Sequence, residues 1–310
     1  MPKLIMMIGV AGSGKSTIAM RIASQMEEEV VLLSSDTIRG EIYGDENCQR
    51  DPGRVFDIMH QRTVAALSQS ISVIYDATNL SCKRRMNFLK SIAHIDCRKE
   101  CVVVVTTPED IEERMKLRDR KVPMEVVHKQ LCQFQCPNYY EGWDDIWIEY
   151  NSTSEASHAS YKKLWEECDI PHDNPHHSLS VLEHMNKAAD IAESFAWKVN
   201  GLSLVHERWV ARIHDIGKAR TKSFTDRNGN PSEVAHYIGH QNYGAYYSLI
   251  FDNCDFDISL NDSLDNACLI QWHMEHYLRK GDALIRFYNM LGPKLKNRLK
   301  ILEQADKSAH

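Results

Sequence analysis

The stretch Gly9-Val10-Ala11-Gly12-Ser13-Gly14-Lys15-Ser16-Thr17 directly follows the apolar run Leu4-Ile5-Met6-Met7-Ile8. This order indicates a buried strand, a glycine-rich loop and then a helix that begins near Lys15. Main-chain N–H groups of such a loop surround phosphate oxygens, and the helix N-terminus and the lysine ammonium group add positive charge. The hydroxyl of Ser16 can hold a magnesium ion that bridges two phosphates. The stretch therefore predicts a nucleoside triphosphate site formed by Gly9, Gly12, Ser13, Gly14, Lys15, Ser16 and Thr17.

The composition indicates a two-domain cytoplasmic protein. A chain of 310 residues, 26% of them charged and with a formal net charge of −6, is long enough for two domains with their own cores. This charge excludes a uniformly basic surface, so contact with a nucleic acid would need a local groove. Nine scattered cysteines without a C-x-x-C pair are typical of reduced thiols. We find neither a signal-peptide layout nor a long apolar run, and expect no membrane contact.

Polar residues follow two further predicted strands. The apolar residues 30–33 lead into Asp36 and Arg39, and the strand over 71–75 leads into Asp76 and Asn79. Ligands of open α/β sheets bind beyond the carboxyl ends of the strands. At that position Asp36 can accept a proton from an attacking hydroxyl or cap a helix, and Arg39 can grip a phosphate. Asp76 can support the metal or orient acceptor-side groups.

A basic helix follows the next strand, over residues 101–106. It begins near Pro108, carries Arg114 and Arg118 four residues apart on one face, and stops before Val122-Pro123. Such a helix closing over a triphosphate would stabilise the charge on the transferred γ-phosphoryl group. The alternative is a set of exposed ion pairs.

In this order the four blocks resemble the polynucleotide 5′-hydroxyl kinases of nucleic-acid end-healing enzymes. The blocks are the glycine-rich loop, Ser-x-Asp-x-x-Arg from Ser34, Asp-x-Thr-Asn-Leu from Asp76, and Arg-x-x-x-Arg before Val-Pro. The resemblance covers residues 1–150 and implies an α/β P-loop kinase domain. It also implies that Lys15 and Ser16 bind Mg²⁺ and the phosphates of ATP or another nucleoside triphosphate.

The same resemblance assigns roles on the acceptor side. It implies that Asp36 is the general base on the 5′-OH and that Arg39 holds the 3′-phosphate of the acceptor. Asp76 and Asn79 would form the remainder of the acceptor-binding site, and Arg118 would be the lid arginine over the donor.

The second half of the chain has a different pattern. A polar, small-residue run over 151–157 predicts a boundary, and apolar residues then recur at helical intervals. We therefore predict a P-loop domain over residues 1–152, a connection over 153–171 and an all-α domain over 172–310.

Histidines are concentrated in this second half, with twelve of the fifteen after residue 155. One group forms His214-Asp215-Ile216-Gly217-Lys218, where Gly217 suits a helix end and Lys218 can contact phosphate or cap the helix. Imidazole and carboxylate ligands suit Mn, Fe, Co, Ni or Zn, and ligands from several helices can converge in a bundle core. A metal held there would support hydrolysis of a phosphoester.

The histidine pattern resembles the HD phosphohydrolase superfamily in its H…HD…H…H…D form, over about residues 172–310. The resemblance implies a principal metal held by His177, His214, Asp215 and Asp306. It implies that His240 and His273 complete a second metal position or bind substrate phosphate. Three choices between neighbours stay open: His176 or His177, His236 or His240, and His273 or His276.

One domain that adds a phosphoryl group and one that removes it indicate a substrate with two ends. We expect a bifunctional RNA or DNA end-healing enzyme that phosphorylates 5′-OH ends and removes 2′,3′-cyclic, 2′- or 3′-phosphates, with nucleic-acid ends and a ligase as partners. The alternatives are a small-molecule nucleoside or nucleotide kinase fused to an HD nucleotidase, and a non-catalytic nucleotide-dependent switch.

Overall fold

The computed structural model describes residues 1–117, 122–175, 178–197, 202–254 and 258–309. The chain forms two compact units. The first comprises Met1–Val127 and Pro137–Ser152, and the second comprises His128–Cys136 and Thr153–His310.

In the described part of the chain, the first unit contains a sheet of five strands. They are β1 (Lys3–Ile8), β2 (Val30–Ser34), β3 (Ser72–Asp76), β4 (Arg98–Val105) and β5 (Asp145–Tyr150). All neighbouring strands are parallel, in the order β2-β3-β1-β4-β5. The runs of Val, Ile and Met in β1 and β4 fit strands that are covered by helices on both faces.

Helices surround this sheet and connect its strands. They are α1 (Lys15–Gln25), α2 (Ser35–Tyr43), α3 (Pro52–Ser68), α4 (Cys82–Ser91), α5 (Pro108–Leu117) and α6 (Met124–Leu131), with a 3₁₀ turn at Tyr139–Glu141. The last residues of α6 belong to the second unit.

The core of the first unit places the two faces of β1 in different surroundings. Ile5 and Met7 pack with Ile18 of α1 in a cluster that extends to neighbouring strands. Since successive side chains of a strand alternate, Met6 and its strand neighbour Tyr75 lie on the opposite face. The carboxyl ends of the parallel strands meet at one edge of the sheet, and the loops that follow β1, β2 and β3 lie together there.

The second unit is mainly helical. Its helices are α7 (Ser154–Glu166), α8 (Val181–Ala196), α9 (Leu204–Ile213), α10 (Lys218–Thr221), α11 (His240–Asp252), α12 (Leu260–Trp272), α13 (Glu275–Leu278), α14 (Gly281–Met290) and α15 (Gly292–Ser308). Helix α8 packs against α9 and α15, and α11 packs against α12. Helix α7 lies in the segment that the sequence predicts as a connection.

A β-hairpin interrupts the helical order of this unit. Strands β6 (Lys222–Thr225) and β7 (Pro231–Tyr237) pair antiparallel between α10 and α11. The predicted fold class, a parallel α/β domain followed by a helical domain, is confirmed, and the hairpin is an addition to it. None of the helices in the described ranges is long and apolar enough to cross a membrane.

Candidate functional site

The glycine-rich loop joins β1 to α1 at the carboxyl edge of the sheet. Gly14 precedes α1 with a φ of 90°, a left-handed conformation that favours glycine. A Cβ atom on Gly14 would lie 2.2 Å from Nδ2 of Asn151. Lys15 is buried and donates from Nζ to the carbonyl oxygen of Val10 at 2.7 Å. The lysine ammonium group therefore lies inside the curve of the loop, where a phosphate oxygen can meet it.

Three side chains from other elements hold the carbonyl oxygen of Ser13. Thr106 Oγ1 donates to it at 2.8 Å, Asn151 Nδ2 at 2.7 Å and Arg114 Nη1 at 3.4 Å. Arg114 also donates to the carbonyl oxygen of Asn151. These contacts fix the loop from the ends of β4 and β5 and from α5. Asn151 is not among the residues predicted for the site, although its place directly after a strand, at the ligand-binding edge of the sheet, is a usable signal.

The predicted magnesium-binding hydroxyl lies beside a carboxylate. Ser16 Oγ donates to Oδ2 of Asp76 at 2.7 Å. Burial raises the pKa of Asp76, while the hydrogen bond from Ser16 and the charge of Lys15 partly oppose that rise. Hydroxyl and carboxylate oxygens are hard ligands of the kind that Mg²⁺ prefers, and here two of them lie together at the start of α1.

The predicted general base forms an ion pair with the predicted phosphate-binding arginine. Arg39 donates from Nη1 to Oδ1 of Asp36 one helical turn earlier in α2. The arginine side chain is 11% exposed, whereas the aspartate side chain is 44% exposed. The N-cap of α2 is Ser34, whose Oγ accepts from the N–H of Asp36 at 3.3 Å. The carboxylate of Asp36 is therefore held by Arg39 and reachable by a ligand.

The loop after β3 is attached to the neighbouring glycine-rich loop. Asn79 donates from Nδ2 to the carbonyl oxygen of Met7 at 2.7 Å and has a φ of 47°. The N–H of Gly9 donates to the carbonyl oxygen of Thr78 at 3.1 Å. Asn79 therefore shapes the edge of the predicted acceptor site. The predicted lid residue Arg118 lies outside the described residues.

In the second unit, buried side chains converge from five helices and the residues that follow them. They are His184 on α8, His214 and Asp215 after α9, His240 at the start of α11, His273 after α12 and Asp306 on α15.

These side chains form two overlapping groups that share one carboxylate. The first group is His184, His214, Asp215 and Asp306, and the second is Asp215, His240 and His273; within each group the ligand atoms lie within 4.8 Å of one another. Asp215 Oδ2 lies 3.3 Å from Nε2 of His214, and its Oδ1 lies 3.2 Å from Nε2 of His240. Asp215 can therefore bridge two adjacent cations.

Hydrogen bonds to the main chain orient three of the imidazole rings. His214, His240 and His273 each place Nδ1 at 2.6–2.7 Å from the carbonyl oxygen three residues earlier. A carbonyl oxygen only accepts, so each Nδ1 carries a proton. In the neutral ring the Nε2 atom then has a free lone pair directed into the cluster, as a metal ligand requires.

Charges inside the cluster shift its pKa values. Burial lowers the pKa of His214, but Asp215 and Asp306 outweigh that effect and raise it to about 10. Burial likewise opposes ionisation of Asp215, but Lys218 and His214 hold its pKa well below the usual range. Burial lowers the pKa of His240. Binding of a metal at His214 must therefore release a proton.

Gly217 has a different role from the one its sequence context predicts. Its φ of −66° is right-handed, so no left-handed helix end requires glycine here. A Cβ atom at this position would lie 2.1 Å from the carbonyl oxygen of His240. Glycine therefore lets α11 approach the His214-Asp215 segment closely, which brings His240 to Asp215.

Lys218 and His172 line one side of the cluster. Lys218 Nζ lies 2.6 Å from Oδ2 of Asp215 and donates to Nε2 of His172 at 3.3 Å. His172 Nδ1 donates to the carbonyl oxygen of Leu179 at 2.8 Å. Burial and the charge of Lys218 lower the pKa of His172 to about 4, so this ring is neutral at neutral pH.

For two of the three open choices, only one histidine of the two lies in the cluster. His240 and His273 belong to the cluster. His236 lies on β7 and His276 on α13, outside both groups.

The described cluster has a different first histidine from the predicted ligand set. His176 and His177 lie outside the described residues, and the described cluster contains His184, which sequence analysis did not choose. His184 lies on the buried face of α8 with Val181 and Met185. A histidine within an apolar helical stripe was the available signal.

The donor set fits a transition metal. Imidazole nitrogens and carboxylate oxygens are the ligands that Mn, Fe, Co, Ni and Zn share. Lys218 compensates the charge of the Asp215 carboxylate at Oδ2. The other oxygen, Oδ1, is buried and has no hydrogen-bond partner among the described residues, so a metal beside His240 and His273 would give it a partner.

Comparison with known families gives a match for each unit. Residues 4–137 match the family described as an AAA domain, and residues 176–309 match the family described as an HD domain. No curated protein matches the sequence.

Several solved structures show a partial likeness to this chain. A chain of the Pnkp1/Rnl/Hen1 RNA repair complex is 24% identical over 43% of this chain and 43% of its own length, with a TM-score of 0.36. A sugar kinase from a Janibacter species is 17% identical over 49% of this chain and 86% of its own, with a TM-score of 0.36. A gluconokinase from Sinorhizobium meliloti is 19% identical over 48% and 82%, with a TM-score of 0.34. The matched region spans about two fifths of the RNA repair chain.

Proposed function

We propose that this chain, which combines an AAA domain with an HD domain, heals broken ends of RNA or DNA. The first unit would phosphorylate 5′-OH ends, and the second would remove a 2′,3′-cyclic, 2′- or 3′-phosphate. The observation that carries the proposal is the presence, in one chain, of a glycine-rich loop and an Asp36–Arg39 pair at the carboxyl edge of one sheet and of a buried cluster centred on Asp215. A broken polynucleotide is a substrate that needs both reactions, and the products are the ends that a ligase joins.

In the kinase reaction, Lys15 and the loop N–H groups bind the phosphates of ATP or another nucleoside triphosphate. Ser16, whose hydroxyl donates to Asp76, would hold Mg²⁺, and the ion would neutralise phosphate charge. The oxygen of the 5′-OH attacks the γ-phosphorus while Asp36 accepts the hydroxyl proton, and the nucleoside diphosphate leaves. Arg39 holds the carboxylate of Asp36 in place, and we assign its guanidinium group to the 3′-phosphate of the acceptor.

In the hydrolytic reaction, the histidine and aspartate side chains would hold a transition metal. That metal would lower the pKa of a water molecule and so supply hydroxide for attack on the phosphorus. Asp215 belongs to both groups of ligands, whereas each of the other histidine and aspartate side chains belongs to only one. Lys218, beside Asp215 and fixed by His172, is placed to hold a phosphate oxygen and to neutralise its charge.

A second candidate is a small-molecule nucleoside or nucleotide kinase joined to a nucleotidase. The net charge of −6 favours it, because proteins that bind polynucleotides usually have a basic stripe. Binding to a polymer would weaken steeply as salt is raised, whereas binding of a mononucleotide releases fewer counterions.

The test offers the purified chain a short single-stranded RNA with a 5′-OH and a 2′,3′-cyclic phosphate. ATP and Mg²⁺ are added, and Mn²⁺, Ni²⁺ or Co²⁺ is supplied in parallel reactions. Mass spectrometry of the RNA reads both ends. We expect gain of a 5′-phosphate and loss of the terminal cyclic phosphate; unchanged RNA with turnover of free nucleosides or mononucleotides would replace this proposal with the second candidate.

A further inference from the structure

A cavity of about 370 Å³ lies in the first unit between α3 and α4. Met6 and Tyr75, on the face of the sheet opposite to α1, form its floor. Its volume falls within the range of roughly 300–1,000 Å³ that small-molecule sites occupy. Phe88 of α4 and the side chains of α3 are not among the predicted donor- and acceptor-binding residues.

The walls of this cavity are aromatic. Phe56 of α3 and Phe88 of α4 are half-buried and line it from opposite helices, above the buried ring of Tyr75. The rings of Tyr75 and Phe88 have centroids 4.9 Å apart. Aromatic surfaces of this kind favour a flat ring that can contact them face to face or edge to face.

The rim of the cavity is polar. Asp57 of α3 and Arg84 and Asn87 of α4 line it and are exposed. Within the described part of the chain, none of these three side chains forms a hydrogen bond or an ion pair. Together they offer an acceptor, a cationic donor and an amide, which suit the donor and acceptor groups on the edge of a nucleobase.

The cavity adjoins the loop that follows β3. Asn79 lines it, and this loop contacts the glycine-rich loop through Thr78 and Gly9. Arg85, which is 1% exposed, donates to the carbonyl oxygens of Asn79 and Leu80. The cavity wall next to the phosphate-binding loop is therefore fixed by a buried side chain.

We propose that this cavity binds the nucleobase of the 5′-terminal nucleotide of the acceptor. Phe56 and Phe88 contact the faces of the base, and Asp57, Arg84 and Asn87 contact its edge. The inference rests on the proposed kinase function, and it specifies an acceptor that carries a base rather than a bare sugar. Stacking is tolerant of base identity because every base has an aromatic face.

The first experiment compares two acceptors with the wild-type chain, ATP and Mg²⁺. One is a short oligonucleotide with a 5′-OH, and the other is identical except that its 5′-terminal nucleotide is abasic. Base stacking on aromatic side chains supports a difference of about tenfold or more. We expect the abasic acceptor to have a KM at least tenfold higher with little change in kcat.

Variants then test whether the cavity causes this preference. Phe56→Leu and Phe88→Leu should each lower the preference for the base-containing acceptor severalfold and leave the abasic acceptor unchanged. Trp147→Leu is the control, because Trp147 is an exposed aromatic residue of the same unit that does not line the cavity.

A binding measurement needs neither catalysis nor a variant. A 5′-terminal 2-aminopurine should lose fluorescence on binding to the chain, because it stacks on aromatic rings, whereas 2-aminopurine four nucleotides further along should change less. If both acceptors became phosphorylated with equal KM values, or if quenching were equal at both positions, this inference would be overturned and the kinase function would stand. Phosphorylation of neither oligonucleotide would overturn the kinase function and this inference with it.

Discussion

Nε2 of His240 lies 3.3 Å from Nε2 of His273, and the Nδ1 atom of each ring donates to a main-chain carbonyl oxygen. When both rings are neutral, two lone pairs face each other in a buried site, an arrangement that is unfavourable without a positive charge beside it. Asp215 Oδ1 lies 3.2 Å from His240 and 3.6 Å from His273. A cation bound by these three side chains would remove the repulsion between the lone pairs and would add to the compensation that Lys218 gives the Asp215 carboxylate.

Removal of metal should therefore destabilise the second unit. We expect chelation to lower the midpoint of thermal unfolding by several degrees and added Mn²⁺, Ni²⁺ or Co²⁺ to restore it, because a ligand at about 1,000 times its Kd stabilises the folded state by about 4 kcal/mol. Scanning fluorimetry measures the midpoint, and elemental analysis measures the bound metal.

Variants separate the cluster from nearby histidines. His273→Ala should reduce the shift produced by metal, whereas His236→Ala, which changes a histidine of β7 outside the cluster, should keep it. An identical metal-dependent shift in His273→Ala and in the wild type would contradict the assignment of His273 to a metal site.

The two reactions should be separable by single substitutions. Asp36→Asn preserves the size of the side chain but removes its capacity to accept a proton, so 5′-phosphorylation should fall by about 100-fold or more. His214→Ala should abolish hydrolysis of the terminal phosphate and leave phosphorylation intact. Both activities are read from the masses of the two RNA ends.

Asp45→Asn is the matched control for the kinase variant, because Asp45 is an exposed carboxylate of the same unit. It should retain both activities. If Asp36→Asn lost both activities to the same extent, the assignment of one reaction to each unit would be wrong.

The fold of the first unit could be predicted because its signals are local. The apolar run of β1, the glycine-rich loop and the polar residues after β2 and β3 are each contiguous in sequence, and parallel strands bring their carboxyl ends to one edge. The contacts of Arg114 and Asn151 with Ser13 could not be predicted in the same way. They join residues about 100 and 138 positions apart, and no short motif encodes them.

In the second unit, too, local motifs predict only part of the candidate site. The His214-Asp215 doublet is a local motif, and its place in the cluster follows from it. His184 enters through the packing of α8 against α9 and α15, which sequence spacing does not specify. Gly217 is required by the approach of α11, a tertiary contact, rather than by the conformation of its own turn.

A buried ion pair should control the stability of the first unit. Arg85 and Glu141 are 1% and 5% exposed and form two hydrogen bonds, of 2.8 Å and 2.6 Å. Arg85→Met would leave the carboxylate of Glu141 buried without its partner, and such a loss costs about 3–5 kcal/mol. We expect urea unfolding to show a decrease of this size in the free energy of unfolding.

The double variant Arg85→Met/Glu141→Leu removes both charges and should be more stable than Arg85→Met alone. Arg62→Met is the control, because the pair of Arg62 with Glu41 is about half-exposed, and exposed pairs contribute at most about 1 kcal/mol. A double variant less stable than Arg85→Met would show that the unpaired carboxylate is not the cause.

A buried carboxyl group should make the stability of the second unit depend on pH. Asp252 of α11 is 7% exposed, and Oδ2 has no hydrogen-bond partner among the described residues. Burial raises its pKa to about 7, and a hydrogen bond from Ser263 only partly opposes the rise. The pKa of Asp252 is therefore higher in the folded state than in the unfolded state. Its contribution to the free energy of unfolding is fully present below the unfolded-state pKa. That contribution is lost as the pH rises to about 7, at up to about 1.4 kcal/mol for each pH unit.

Asp252→Asn isolates this effect, since the amide cannot ionise and the other titrating groups are the same in both proteins. Relative to the wild type, the variant should gain stability as the pH rises from 5 to 7 and show a constant difference above about pH 8. Asp282→Asn, at an exposed position of α14, should show no such trend. Chemical unfolding at a series of pH values, with metal held constant, measures the difference. A difference between Asp252→Asn and wild type that does not change with pH would mean that Asp252 does not titrate in this range.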